Sequence, residues 1–263
     1  MNIIVCVKQV PDTNEVKINQ ETGTLIRDGV PSIINPDDKN AIEEALKIKD
    51  KFADTHVTVL SMGPPQAKVA LAEALAMGAD EAILLSDRAF GGSDTWATAT
   101  VLAAGIKKIA NYDLIFCGRQ AIDGDTAQVG PEIAEFLDIP QITYVESLEI
   151  LDKKIKAKRA TEDGYFVIES PMPVMLTAIK ELNTPRYPRP RLIYEAFGPD
   201  ANIKTWGVDD IEIDLTQIGV KNSPTNVYRS FVPVKDIKSE RLEGDSKEVS
   251  EQLLIKLNEL NLV

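Results

Sequence analysis

The sequence predicts an α/β fold: a mostly parallel sheet with helices on both faces, plus an antiparallel hairpin and an extended C-terminal arm. Three observations carry this expectation. Short runs that are apolar on both faces alternate with helical periods, which requires crossover connections and strands covered on both sides. The alternation gives way near residue 147 to two extended segments around a glycine turn, and beyond residue 191 to a polar tail.

The elements follow in order. Residues 2–7, 57–61, 82–85 and 114–117 read as buried strands, since neighbouring positions are apolar rather than alternating. Asn35 suits an N-cap and Pro36 the first helical position, while Asp37 and Asp38 favour the positive end of the helix dipole. Ile42, Ala45 and Leu46 then form the inward stripe of a helix ending near Phe52. A second helix runs from Pro65 to Met77 and stops at Gly78; a third spans Thr95 to Ala110. Segments 147–160 and 164–170 flank Glu162-Asp163-Gly164 as a hairpin, and 173–178 is another buried strand. The run from Pro185 to Arg191 reads as non-helical and marks a boundary. Residues 1–191 are thus expected to form the main domain and 192–263 an arm. Val249, Leu253, Leu254, Leu257 and Leu260 line one side of a final helix. That tail either wraps another body or folds back on its own domain.

Composition narrows the function. With 41 acidic and 29 basic residues, the net charge of −12 disfavours nucleic acid and anionic membrane as partners. No apolar run approaches the ~20 residues of a membrane span. The apolar start, Ile3-Ile4-Val5-Cys6-Val7, reads as a strand rather than a leader. Cys6 and Cys117 lie in strand-like runs and read as free buried thiols, which points to a reducing, cytoplasmic compartment. His56 is the sole histidine and has no cysteine near it in sequence, against a zinc site or a histidine-based triad. Any chemistry is then a cofactor's.

The most informative stretch is Gly118 to Pro131, between a strand and a helix. In an open parallel sheet, ligands sit beyond the carboxyl ends of the strands. A loop of small residues entering a helix offers unpaired N–H groups to an anion. Gly124 and Gly130 permit close approach, Thr126 and Gln128 add side-chain donors, and Asp123 and Asp125 cap the loop or bond a ribose hydroxyl. A glycine-rich turn serving only chain reversal is the alternative.

Several motifs appear in order: Val7-Lys8-Gln9-Val10-Pro11-Asp12, Asn35-Pro36-Asp37-Asp38, Ala76-Met77-Gly78-Ala79-Asp80, the 118–131 loop, and Leu182-Asn183-Thr184-Pro185-Arg186-Tyr187. Together they resemble the signatures of electron-transfer flavoprotein β subunits over about residues 1–195. The resemblance implies an adenine-nucleotide-binding α/β domain and an arm that embraces an α subunit. Carried over, the family's nucleotide contacts fall on Cys6, Val7 and Lys8; on Asn35 and Asp38; on Met62 and Gly63; and on Asp123, Gly124, Asp125, Thr126, Gln128, Val129 and Gly130. Asn35 is equally readable as a plain cap, and Cys6, Val7 and Met62 as core.

Within the family the loop and Gly92-Ser93-Asp94-Thr95-Trp96-Ala97-Thr98 look like the electron-bifurcating group, which holds FAD where the ordinary group holds AMP. That likeness adds Asp94, Thr95 and Thr98 to the cofactor contacts, although Ser93 or Asp94 would cap the helix in any case. Trp96 either stacks on a ring or belongs to the core. The implied activity is oxidation of NADH at the β-bound FAD. One electron passes to ferredoxin or flavodoxin and the other, through the α-subunit FAD, to an acyl-CoA dehydrogenase. Structural AMP is the alternative cofactor. The resemblance also implies that a loop containing Leu182, Asn183, Pro185, Arg186 and Tyr187 docks on the dehydrogenase, with Leu182 as anchor or as an ordinary apolar contact. An ATP-binding ligase or stress-type ATPase would instead want a Ser-Gly-Gly loop after the first strand, where Val7-Lys8-Gln9 stands.

Overall fold

The computed structural model describes residues 1–12, 17–18, 25–26, 31–225 and 239–262. In chain order the elements are β1 (Asn2–Cys6), β2 (Gln9–Pro11), β3 (Lys17–Ile18), β4 (Leu25–Ile26), β5 (Ser32–Ile34), α1 (Pro36–Lys51), β6 (His56–Met62), α2 (Lys68–Met77) and β7 (Glu81–Leu85). Then come α3 (Thr95–Ile109), β8 (Leu114–Gly118), α4 (Val129–Leu137), β9 (Gln141–Leu151), β10 (Lys154–Thr161), β11 (Gly164–Pro171), β12 (Val174–Ala178), α5 (Pro190–Ala196), β13 (Ile203–Trp206) and α6 (Ser246–Glu259).

Nine strands form one sheet in the order β11-β10-β9-β12-β8-β1-β6-β7-β13. The pairings from β9–β12 through β7–β13 are parallel, and β9–β10–β11 is an antiparallel meander. Both faces are covered, which is why the strands read as unbroken apolar runs. On one face Val5, Val59, Leu84 and Phe116 pack with Ile42, Ala45 and Leu71 of α1 and α2. On the other, Ile4, Leu60, Ile83 and Ile115 pack with Leu102 and Ile106 of α3 and Ile133 of α4. The predicted α/β class is thus observed.

Four local expectations need correction. The hairpin about residues 162–164 is observed as β10–β11, but 147–160 is not one strand: it turns at Asp152, whose φ is 45°, so β9 adds a third strand to make a meander. The proline-rich run does end in a helix, because Pro190 opens α5, where a missing N–H costs nothing. Asn35 sits at the N-cap position of α1 but makes no capping bond. Trp96 is not core: it is 42% exposed and lies edge-on to Phe136, with centroids 4.7 Å apart.

The chain divides into two compact units, Met1–Tyr228 and Arg229–Val263. Residues 192–225 fall in the first, where β13 extends the sheet beside β7. In the second unit, Asp245 and Glu248 close a capping box at the start of α6. Along α6, Leu253, Leu254 and Leu260 are 48%, 55% and 66% exposed, and Val249 and Leu257 are half-buried. Among the described residues no helix is long and apolar enough to cross a membrane.

The order places β1 between β6 and β8, where the chain's winding reverses direction. At this point α1 is pressed onto the end of β8. A side chain at Gly118 would put its Cβ 2.2 Å from Asp38 Oδ1, 2.7 Å from Asp38 N and 2.8 Å from Asp37 C. Two of those three atoms are backbone and cannot swing aside. Gly118→Ala is therefore expected to destabilise the protein by about 2 kcal/mol or more, read as a lowered urea midpoint. A midpoint equal to wild type would show that α1 is not seated so closely.

Candidate functional site

Strands β1, β6, β7, β8 and β12 run parallel, so their carboxyl ends open on one edge, and the helices that follow them begin there. The N-termini of such helices carry positive potential and unpaired N–H groups. This edge is where the sequence-selected residues converge.

Asn35 and Asp38 form the floor. The Asp38 carboxylate accepts Lys8 N at 2.7 Å, Gly118 N at 3.0 Å and Asn35 Nδ2 at 3.0 Å. Asn35 Nδ2 also donates to Gln120 O at 2.8 Å, and its Oδ1 accepts Ile122 N at 3.0 Å. Both side chains are thus occupied within the chain. They tie the exits of β1 and β8 to the glycine loop. Burial pushes the Asp38 pKa up to about 7, against the hydrogen bonds from Asn35, Lys8 and Gly118 that hold it down.

Above this floor, Lys8 Nζ holds both oxygens of Asp123, at 2.7 and 2.8 Å. The loop turns at Ala121, whose carbonyl accepts Gly124 N and Asp125 N, and Gln120 Nε2 donates to Asp125 Oδ1 at 2.8 Å. Asp125 and Ala127 lie in the left-handed region, with φ of 50° and 53°. From Thr126 to Gly130, no N–H has a hydrogen-bond partner among the described residues, and Gln128 gives α4 no side-chain cap. Around Gly124 a Cβ would meet nothing within 4 Å, whereas at Gly130 it would lie 2.9 Å from Thr177 Cγ2. Gly130 is small so that α4 can rest on β12; Gly124 has no such internal reason.

The remaining residues frame the mouth. Cys6 is buried at the end of β1 and Val7 just beyond it, and Cys117 lies beside Cys6. The Cys6 contact and burial push the Cys117 thiol up, so it stays protonated at neutral pH. Met62 is half-buried against the α3 side, and Gly63 N bonds Leu85 O. Asp94 caps α3 through Ala97 N and also binds Thr225 N and Oγ1, both at 2.8 Å. Burial acts to raise the pKa of Asp94, but the bonds from Ala97 and Thr225 outweigh it and hold the carboxylate low. Thr95 Oγ1 donates to Glu132 Oε1 at 3.1 Å, and Thr98 is half-buried one turn further along α3.

Three participants escaped sequence reading. Glu132 is one: its Oε2 is buried and without a partner among the described residues, and burial raises its pKa. Asp37 and Arg119 are the others, a pair at 3.4 Å where β8 gives way to the loop. An exposed-looking Glu in a helix's first turn carries no distinguishing signal. The juxtaposition of Asp37 with Arg119 depends on the β1–β8 pairing.

The sequence-selected docking residues gather on the neighbouring exit, after β12. Leu182 is 8% exposed and packs into the core, whereas Tyr187 is 92% exposed. Asn183 and Arg186 are fastened to α1, Asn183 by Asn40 at 2.8 Å and Arg186 by Glu43 at 2.8 Å. Pro185 lies between them.

The arrangement can hold an anion. It combines N–H donors that have no partner among the described residues, an uncapped helix start and an open space at Gly124. These features suit an anionic group beside residues 126–130.

Comparison with known proteins places the chain in a family. The electron transfer flavoprotein domain pattern matches residues 22–209. The electron transfer flavoprotein subunit beta of Clostridium acetobutylicum is 60% identical over 259 residues, 98% of each chain. The caffeyl-CoA reductase-Etf complex subunit CarD of Acetobacterium woodii is 55% identical over 264 residues, the full length of both. The acryloyl-CoA reductase electron transfer subunit gamma of Anaerotignum propionicum is 46% identical over 269 residues, again full length. On that match and that identity along its whole length, the chain belongs to the electron transfer flavoprotein family and takes the place of its β subunit.

Proposed function

We propose that this chain works in the cytoplasm as one half of a heterodimer with an electron-transfer flavoprotein α subunit, and that it holds FAD at the carboxyl edge of its sheet. The observation that carries the reading is the row of unpartnered N–H groups from Thr126 to Gly130 at the uncapped start of α4. When bound, FAD supplies the redox chemistry: two electrons taken from NADH, one passed to ferredoxin or flavodoxin and one, through the α-subunit FAD, to an acyl-CoA dehydrogenase. The relatives named for caffeyl-CoA and acryloyl-CoA reductase complexes support an acyl-CoA enzyme as terminal partner.

The chain's residues bind and orient. The N–H groups of Thr126–Gly130 grip phosphate oxygens, with Thr126 and Gln128 side chains within the same lip. Lys8 offers a cation that Asp123 shares. Asn35 and Asp38 act from beneath by fixing the loop. Asp94 holds the start of α3 in place, and Thr95 and Glu132 present polar atoms between the two helix starts. The segment 180–187 presents Lys180, Glu181 and Tyr187 to the dehydrogenase, while Leu182 pegs the segment to its own core. The apolar side of α6, with Leu253, Leu254 and Leu257, is the surface offered to the α subunit.

Nucleotide extraction from the purified heterodimer tests the cofactor assignment. Two FAD per heterodimer are expected; one FAD with one AMP would remove bifurcation while keeping the site, and neither nucleotide at this edge would remove the site.

A second test uses the free space at Gly124. Since a methyl group there meets nothing in the chain, Gly124→Ala should leave thermal stability of the nucleotide-free protein unchanged. It should also weaken FAD retention roughly tenfold by crowding the ligand, a difference of ~1.4 kcal/mol. Equal retention would place the phosphates elsewhere.

A further inference from the structure

The segment after β12 has an unusual construction. Residues 183–188 make no backbone–backbone hydrogen bond among the described residues, and two of them are prolines. Its shape therefore depends on side chains, and those all lead to α1. Arg186 forms a fork on Glu43, with Nε to Oε2 at 2.8 Å and Nη2 to Oε1 at 3.0 Å. The backbone N–H of Arg186 donates to the same Glu43 at 3.0 Å, and Nη2 also reaches Asp50 at 2.7 Å. Asn183 and Asn40 bond reciprocally. Asn40 Nδ2 donates to Asn183 O at 2.8 Å, and Asn183 Nδ2 donates to Asn40 O at 3.0 Å and Glu44 Oε2 at 2.9 Å.

These are costly groups to bury. The Glu43 side chain is 7% exposed and the Glu44 side chain 6%. A carboxylate so placed needs charged and hydrogen-bonded answers. A two-pronged Arg–carboxylate contact fixes direction as well as distance. An apolar contact would have fastened the segment without fixing its orientation. The outward side of the same segment carries Tyr187, 92% exposed, and Lys180, whose side chain is 83% exposed.

We propose that Glu43 and Asn40 are positioning residues for partner docking: with Arg186 and Asn183 they set the outward shape of the segment that meets the dehydrogenase. The inference rests on the docking reading above and adds to it the residues that act from behind the surface. Glu43→Gln keeps the size but gives up the charge and one acceptor. Arg186→Lys keeps the charge but loses the fork and the simultaneous reach to Asp50.

The experiment uses the reconstituted heterodimer and an acyl-CoA dehydrogenase purified from the same cells. Electron transfer is measured against dehydrogenase concentration, flavin content is counted, and hydrogen exchange is followed along the chain. Both Glu43→Gln and Arg186→Lys are expected to raise KM for the dehydrogenase about tenfold. At saturating dehydrogenase, kcat and flavin content should stay at wild-type values, and protection should fall only across 180–187. Tyr187→Ala, fully on the surface, tests the docking reading separately.

A raised KM with Tyr187→Ala and an unchanged KM with both clamp variants would overturn the inference and leave the docking reading standing. Unchanged KM in all three would remove both. A rise in the clamp variants alone supports the clamp and shifts the contact to Lys180 and Glu181. Loss of flavin or of kcat in both clamp variants, with KM unchanged, would overturn the inference by showing that the clamp serves the fold only.

Discussion

Everything at the carboxyl edge depends on one buried carboxylate. Asp38 lies buried where α1 presses on the end of β8, with no room for a side chain at Gly118. An unanswered charge there would cost several kcal/mol, so its oxygens must be met from within. They are met by Lys8 N after β1, Gly118 N at the end of β8 and Asn35 beside the helix start. Because the donors come from three separate segments, satisfying a single group fixes all three relative to each other. Asn35 then extends the arrangement to Gln120 and Ile122. The loop above can consequently be irregular. Left-handed conformations at Asp125 and Ala127, each costing of the order of 1 kcal/mol, persist because the base of the loop is held.

This explains how a chain with a net charge of −12 can be fitted for an anion. The repulsion is spread over the surface and screened within about 8 Å at physiological salt. The attraction is local, from N–H groups with no competing partner. Lys8 and Asp123 add a pair that is partly exposed, with side chains 49% and 23% accessible. Exposed pairs of this kind are worth ~0–1 kcal/mol, so under the proposed function Lys8 is cheaply redirected towards an incoming phosphate. Fixed donors and one redirectable cation suit a ligand that must enter and then be held.

Much of this was legible in the residues themselves, and the failures have physical causes. Strands such as Leu114–Gly118 declared themselves because a sheet covered on both sides demands apolar residues in succession. The loop was visible because Gly124 and Gly130 are punctuation before a helical period. The turn at Asp152 was missed because Leu151-Asp152-Lys153 contains neither glycine nor proline; only the tolerance of Asp for positive φ marks it. Asn35 has a residue type that suits a cap or a long-range amide bridge equally. Its true partners are 85 and 87 residues away, a distance no local pattern records. Leu182 was expected as anchor or as an ordinary apolar contact, and within this chain it is 8% exposed.

The polar residues of α1 complete the account. A helix that covers a sheet would ordinarily bury an apolar stripe and leave its acids in water. Here Asp38, Asn40, Glu43 and Glu44 are buried along with Ala41, Ile42 and Ala45. The reason is topological. Strands β8 and β12 are parallel neighbours, Cys117 opposite Thr177 and Gly118 opposite Ala178, so the chain leaves both on the same edge. Both exits emerge over α1. Its first turn, with Asp37 and Asp38, faces the β8 exit at Arg119 and Gly118, and its next turns face the β12 exit at Asn183 and Arg186. Two irregular segments with few backbone bonds of their own are thereby referenced to one straight, well-packed helix. Under the proposed function, such a scaffold references to one helix both the loop that would hold the cofactor and the segment that would meet the external partner.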